Sequence, residues 1–253
     1  MSDFIFKIDH QVAELFHKIY SIGGEFANFC MKGISYIAEA GILFLLVGLG
    51  LALFKRTRKI GGTILLAVAL GFVFTNIILK NAIGRARPFE NVSSDFYKWW
   101  LDAGANFESG HSFPSGHTTA TTAFAVAIFL TTNKKYSWPI LLLPIAMASS
   151  RIYLMVHYFT DCLGGLVVGA VVTIISYLIV KFIYASKFKF FVWLREFDLF
   201  RPKDTKASNP VANTQSNNTT EKVEEFIYVP QSQETSGENP TSNAGNLDDK
   251  NNE

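Results

Sequence analysis

The chain has 253 residues, 49% of them hydrophobic and only 17% charged, with a formal net charge of +2. Soluble domains carry about 25% charged residues. Here the charges cluster between long apolar runs, which excludes an ordinary soluble domain and indicates a multi-span helical membrane protein.

The small net charge says little about partners beyond the bilayer itself, and no nucleic acid is expected among them. Two cysteines, Cys30 and Cys162, lie in or beside apolar segments and suggest neither a disulfide framework nor a metal-ligand pattern. The first residues, Met1 to Asp9, lack a basic start followed by a clean apolar run, so no cleavable signal peptide is expected. The first apolar span then serves as the targeting signal.

Residues 1–32 mix Phe4, Ile5, Ile8, Val12, Leu15, Phe16 and Ile19 with Asp9, Glu14 and Lys18 at one-sided helical spacing. The pattern predicts an amphipathic helix in the membrane interface, with a second short one around residues 24–31. A surface helix packed on the bundle fits the spacing equally well. Spans are predicted at 33–54, 60–80, 114–132, 137–154 and 162–184, with a sixth at 10–32 as the alternative topology. Glu39 stands near the start of the first span, tolerable at a membrane edge. With five spans, three basic groups share one side: Lys55, Arg56, Arg58 and Lys59; Lys134 and Lys135; and Lys181, Lys187 and Lys189. Basic loops mark the cytoplasmic side, which leaves the N-terminus extracytoplasmic.

The expected fold is an all-α, polytopic transmembrane helix bundle of five to six spans with interfacial helices. Its parts are N-terminal interfacial helices (1–32), a transmembrane domain (33–186), a cytoplasmic interfacial helix (187–202) and a disordered, cytoplasmic tail (203–253). The tail is rich in Asn, Ser, Thr and Gln, and the apolar island Phe226 to Pro230 within it reads as chance, with a short docking motif as the alternative. The loop at 88–113 carries Phe96, Tyr97, Trp99, Trp100 and Phe107. Such aromatics favour the headgroup level, so the loop either lies on the membrane and shapes an entrance or simply packs over the bundle.

Three polar clusters fall at span ends on the extracytoplasmic side. They are Lys80 to Pro88, Ser112 to His117, and Ser150 to Asp161. Unemployed cations would be sent to the other side, so their gathering suggests one shared site. Lys80, Arg87 and Arg151 suit a phosphoryl dianion, whose transition state spreads charge over its equatorial oxygens. Pro114 opens a helix, and the free N–H groups of Ser115, Gly116 and His117 can then hold an anion. For that motif alone an ordinary helix start is the simpler reading. His157 and Asp161 are four residues apart; if helix covers both, they share a face and the carboxylate holds the imidazole. A capped helix end with a structural ion pair explains that stretch as well. Two histidines permit division of labour, with His157 attacking phosphorus and His117 protonating the leaving oxygen.

Together the clusters resemble the type 2 phosphatidic acid phosphatase superfamily, whose pattern is Lys-x6-Arg-Pro, Pro-Ser-Gly-His, then Ser-Arg-x5-His-x3-Asp. This chain supplies Lys80, Arg87 and Pro88, then Pro114 to His117, then Ser150, Arg151, His157 and Asp161. The resemblance covers roughly residues 33–184. It implies that Lys80, Arg87, Ser115, Gly116 and Arg151 bind phosphate, that His157 becomes a phosphohistidine oriented by Asp161, and that His117 is the acid. It also implies that water completes the cycle with no metal or cofactor. Arg85 matches the Gly-Arg-x-Arg-Pro form of bacterial members, or is a surface cation near the headgroup. Ser150 either binds phosphate or caps a helix. His111 reads as a loop histidine, and His10, His17, Glu39 and Glu90 have no matching role. The superfamily's soluble vanadium haloperoxidases do not fit the long apolar spans.

The implied protein is a multi-pass cell-membrane lipid phosphatase with an extracytoplasmic active site. Its lipid is undecaprenyl diphosphate by likeness to compact bacterial members; phosphatidylglycerophosphate, phosphatidic acid and lipid A 1-phosphate are the alternatives. A non-catalytic protein that binds or transports phosphorylated lipid is the competing class. The oligomeric state is left open.

Overall fold

The computed structural model describes residues 3–37 and 41–189, and every regular element in them is helical. Glu39, most of the interfacial helix expected at 187–202 and the whole of the tail at 203–253 lie outside the described residues.

Helix α1 (Asp3–Ile37) is broken at Gly24, whose φ of 48° takes it out of the helix. The break falls where the sequence placed the start of a second helix. The faces of α1 are inverted relative to a soluble surface helix. Phe4, Ile22, Phe26 and Phe29 point outward, while Asp9 and Asn28 are buried. Its polar stripe packs on the bundle: the Tyr153 hydroxyl donates to Asn28 Oδ1 at 2.8 Å, and Ser150 Oγ donates to the Met31 carbonyl at 2.6 Å.

Helices α2 (Ile42–Leu53) and α3 (Arg58–Phe72) form a hairpin. Arg58 holds its turn by donating to the Ala52 and Leu53 carbonyls at 2.9 and 3.2 Å, which satisfies the end of α2. Beyond Phe72 the helix widens into a π-helical stretch, Val73–Leu79, and closes as α4 (Lys80–Ile83). Such widening rotates the side chains that follow and is common at functional sites; here it precedes Lys80. The segment from 88 to 113 folds into a 3-10 turn (Pro88–Glu90) and α5 (Asp95–Asp102), capped by Ser94. Phe89 stacks on Trp100 at 4.8 Å and His17 of α1 stacks on Trp99 at 5.2 Å. This segment therefore packs over the bundle, with Phe107 left 74% exposed beside the cavity described below.

Helices α6 (Gly116–Thr131), α7 (Lys134–Ser137), α8 (Leu142–Tyr153) and α9 (Phe159–Ala185) complete the bundle. Two stretches, Arg58–Glu90 and Phe159–Ala185, are each long and apolar enough to cross a membrane. The pair Asp3–Ile37 and Ile42–Leu53, bent by 45°, makes a third if it crosses as one. With 16 and 12 residues, α6 and α8 fall short of the roughly 20 that an unaided crossing takes. Among the described residues, length alone thus gives two or three candidate spans, fewer than the sequence pattern predicts.

The contact between α6 and α9 runs backbone to backbone. A Cβ added at Gly165 would lie 2.8 Å from the Ser115 carbonyl, and one at Gly169 would lie 2.6 Å from Thr122 Cβ. Small residues four apart are the usual device for close approach between membrane helices. The facing side of α6 carries Thr118, Thr119 and Thr122, all buried, and the hydroxyls of the last two return to carbonyls of their own helix. The apolar core sits deeper, where Phe44 stacks on Phe124 at 4.5 Å among Ile64, Val68 and Met147.

Gly169→Val should overpack this contact and destabilise the protein by about 1–3 kcal/mol, read as a lowered unfolding temperature in detergent. Gly50→Ala, where an added Cβ meets nothing within 4 Å, is the control. Equal losses from both would refute the importance of the close approach.

Candidate active site

The close approach of α6 and α9 brings their N-termini together, and the Ser115 N–H donates to the Asp161 carbonyl at 3.0 Å. A cavity of 570 Å³ lies beside this junction. Tyr36, Val68, Phe72 and Ala120 give part of its wall an apolar lining. Lys80, Arg87, Gly116, His117, Arg151 and His157 face the same space. The three clusters, distant in sequence, therefore meet in one chamber.

His157 is buried in the short connection between α8 and α9. Its Nδ1 faces Asp161 Oδ2 at 3.6 Å and Ser112 Oγ at 3.5 Å. Its Nε2 faces the cavity side, 3.5 Å from Arg87 Nη1. The carboxylate contact is longer than a formed hydrogen bond, as is common before a ligand tightens such a site. Burial, seconded by the charges of Arg87 and Arg151, pushes the imidazole down to about 3 against the pull of Asp161. The direction favours the neutral ring, and with the proton on Nδ1 the Nε2 lone pair faces Arg87 Nη1 and the cavity.

The two residues do not share a helical face. Helix α9 begins at Phe159, and Asp161 lies in its first turn, where Oδ2 accepts the Tyr158 N–H at 2.8 Å. The same oxygen accepts Ser112 Oγ at 2.5 Å, and Oδ1 takes the guanidinium of Arg85. Asp161 thus caps its helix and holds the segment before it. Four-residue spacing gives proximity here through a helix start, because a carboxylate at this position reaches back to the orphan N–H groups.

Arg87 is buried and donates to the carbonyls of Gly110, Ser109 and Val156 at 2.8, 3.0 and 2.9 Å. Arg151, also buried, reaches Ser35 of α1. Lys80 reaches the cavity from α4, and Asn76 from the π-helical stretch lies beside Gly116, where a Cβ would stand 3.3 Å from its Oδ1.

Four sequence candidates stand apart from the cavity wall. Asp161 lies behind His157. Ser115 is fully buried and caps α6: its Oγ accepts from Thr118, and its own N–H is committed to Asp161. The anion-holding N–H expected at Ser115 is therefore already used. Ser150 ties α8 to the Met31 carbonyl rather than facing the cavity. Arg85 is neither a surface cation nor a cavity residue. It bridges Asp161 and Asp9, the latter at 2.6 Å, donates to Thr160 Oγ1 at 2.8 Å, and covers the Tyr158 ring at 3.9 Å. His111 is exposed; His10 pairs with Asp95 at 3.4 Å, and His17 belongs to the Trp99 stack.

Sequence reasoning gave no role to Glu108, Asn76, Ser112 or Asp9. Glu108 makes ion pairs with both Arg87, at 2.9 Å, and Arg151. One signal was available, since Glu108 is the sole acidic residue in positions 103–160. Among the described residues no cluster of His, Cys, Asp and Glu has the makings of a metal site.

Residues 61–185 match the PAP2 superfamily. Phosphatidylglycerophosphatase B of Bacillus subtilis is 31% identical over 147 residues, covering 56% of this chain and 70% of that protein. The chain belongs to the PAP2 superfamily. An undecaprenyl-diphosphatase of Sulfolobus acidocaldarius is 30% identical over 127 residues, 50% of this chain and 58% of that protein, so the chain spans less than two thirds of this relative. The crystal structure of a transmembrane PAP2 type phosphatidylglycerolphosphate phosphatase from Bacillus subtilis superposes with a TM-score of 0.55. At 21% identity it covers 74% of this chain and 90% of its own. That likeness establishes the fold alone.

Nitrogen NMR of selectively labelled histidine should show His157 as a neutral ring protonated at Nδ1 from pH 8 down to about pH 5. An imidazolium signal for His157 at neutral pH would contradict the electrostatic account.

Proposed function

We propose that the chain is an integral-membrane phosphatase that hydrolyses a phosphorylated lipid through a phosphohistidine. The observation that carries this reading is the cavity, which joins an apolar wall to three cations and a neutral, buried imidazole. Lys80, Arg87 and Arg151 bind the terminal phosphoryl group, helped by the backbone at Gly116 at the start of α6. His157 Nε2 attacks phosphorus, a nitrogen–phosphorus bond forms, and the bond to the leaving oxygen breaks. His117 supplies the proton to that oxygen. Water, passing a proton to His117, then attacks the phosphohistidine; the nitrogen–phosphorus bond breaks, orthophosphate leaves and both histidines return to their starting states. Asp161 stabilises the positive charge on the ring as it forms.

The favoured substrate is undecaprenyl diphosphate, supported by the named activity of the Sulfolobus relative; the Bacillus relative's name points to phosphatidylglycerophosphate. Phosphatidic acid and lipid A 1-phosphate share the chemistry. Phosphate release from each of these lipids, followed with EDTA present, tests the assignment. Release from at least one is expected, and none from any would overturn it; strict metal dependence would overturn the mechanism. His157→Ala should abolish turnover and phosphoenzyme, whereas retained cell function in that variant would favour lipid binding or transport. His117→Ala should be partly rescued by a leaving group of low pKa, and an equal loss on all leaving groups would remove its acid role.

The reading includes a cell-membrane location, five to six spans and an extracytoplasmic cavity. Its support is that the basic ends of α2, α6 and α9 lie away from the cavity end of the bundle, with Lys59 over the ring of Tyr177 far along α9. Basic loops remain cytoplasmic. A cysteine introduced at exposed Val92 should react with a membrane-impermeant reagent on intact cells, and one at Arg56 should not; the reverse pattern would invert the topology.

A further inference from the structure

The cavity holds an anion supplied by the chain itself. The carboxylate of Glu108 bridges the two buried guanidiniums, taking Arg87 with Oε2 at 2.9 Å and Arg151 with Oε1. The same Oε2 lies 3.8 Å from His157 Nε2. An oxygen this close to the nucleophilic nitrogen, on the two arginines that would bind phosphate, stands where an oxygen of the reacting phosphoryl group has to be. A carboxylate and a phosphoryl group present similar paired oxygens to a guanidinium fork. Both cannot occupy the site together.

We propose that Glu108 is the resident ligand of the phosphate site, displaced when substrate binds and returning when orthophosphate leaves. The inference rests on the phosphatase reading above. Physical need explains the arrangement: two guanidiniums buried side by side repel and are costly without a counter-charge. Glu108 neutralises them while the site is unliganded. Its side chain is 23% exposed, so a route to water exists. The backbone need not follow. Arg87 keeps hold of the Gly110 and Ser109 carbonyls through Nε and Nη2, whereas the carboxylate takes Nη1. The exchange is then a rotation of one side chain on an anchored loop.

The exchange selects among anions. An arriving phosphoryl dianion brings one more charge than the carboxylate and gains Lys80, which Glu108 does not engage. A lipid-borne phosphate also arrives at high local concentration at the membrane surface. Free orthophosphate has no such advantage after hydrolysis and must compete with a carboxylate tethered within reach. Glu108 therefore weakens every anion at the site alike, a loss that substrate concentrated at the membrane tolerates and dilute orthophosphate does not, and so it favours product departure.

The test uses the full-length chain in detergent. Calorimetric titration with orthophosphate compares wild type with Glu108→Gln and Glu108→Asp, while lipid phosphate release is measured on the same preparations. Glu108→Gln keeps the shape but loses the charge, and should bind orthophosphate at least tenfold more tightly, with product inhibition tightened by the same factor. Glu108→Asp keeps the charge with a shorter reach and should fall between. It also preserves a counter-charge if Glu108→Gln does not fold. Unchanged or weaker orthophosphate binding in the variants, with wild type active on lipid, would overturn the displacement role alone. If wild type neither turns over any phosphorylated lipid nor binds orthophosphate, the phosphatase reading fails and this inference with it.

Discussion

The distance between α6 and α9 fixes everything that happens in the cavity. Gly165 and Gly169 remove the side chains that would hold the helices apart, and the threonine-rich face of α6 fills the gap with groups that satisfy themselves. Only at this separation does the Ser115 N–H find the Asp161 carbonyl. That single bond levels two helix starts. One carries His117; the segment feeding the other carries His157. A side chain at either glycine would move a histidine before it touched any ligand.

Charge burial is the second constraint, and the bundle meets it by pairing in two adjoining layers. Behind His157, Arg85 lies between Asp161 and Asp9. In front of it, Glu108 lies between Arg87 and Arg151. One layer is a cation between two anions, the other an anion between two cations. His157 separates them. The rear layer is closed by hydrogen bonds from Thr160 and Ser112 and has no reason to open. The front layer is part-exposed and shares its arginines with the cavity.

Much of this was legible in the residues. The clusters ending in Pro88, His117 and Asp161 pointed to one site because cations at those span ends had no other use, and the cavity unites them. What failed was local geometry. The His157–Asp161 spacing suggested a shared helical face, but the helix begins between them, and the carboxylate acts as a cap. Ser115 looked like an anion donor, yet its N–H serves the α6–α9 junction. Arg85 looked peripheral because its partner Asp9 lies 76 residues away in the first helix. Pairings over such separations leave no periodic trace. Glu108 had no motif to announce it, since its meaning comes only from the two arginines it meets.

The place of Asp9 in α1 also bears on the order of assembly. Its carboxylate accepts from Arg85 and from the N–H and hydroxyl of Thr160, the latter 151 residues further along the chain. At a synthesis rate of about 5–20 residues per second, that interval lasts roughly 8–30 s. Helix α1 thus carries a carboxylate whose complete set of partners is made only after more than 150 further residues. Until then α1 can lie on the membrane through Phe4, Ile22 and Phe26, with Asp9 toward water. The contacts that hold that face inward are complete only once the start of α9 is in place.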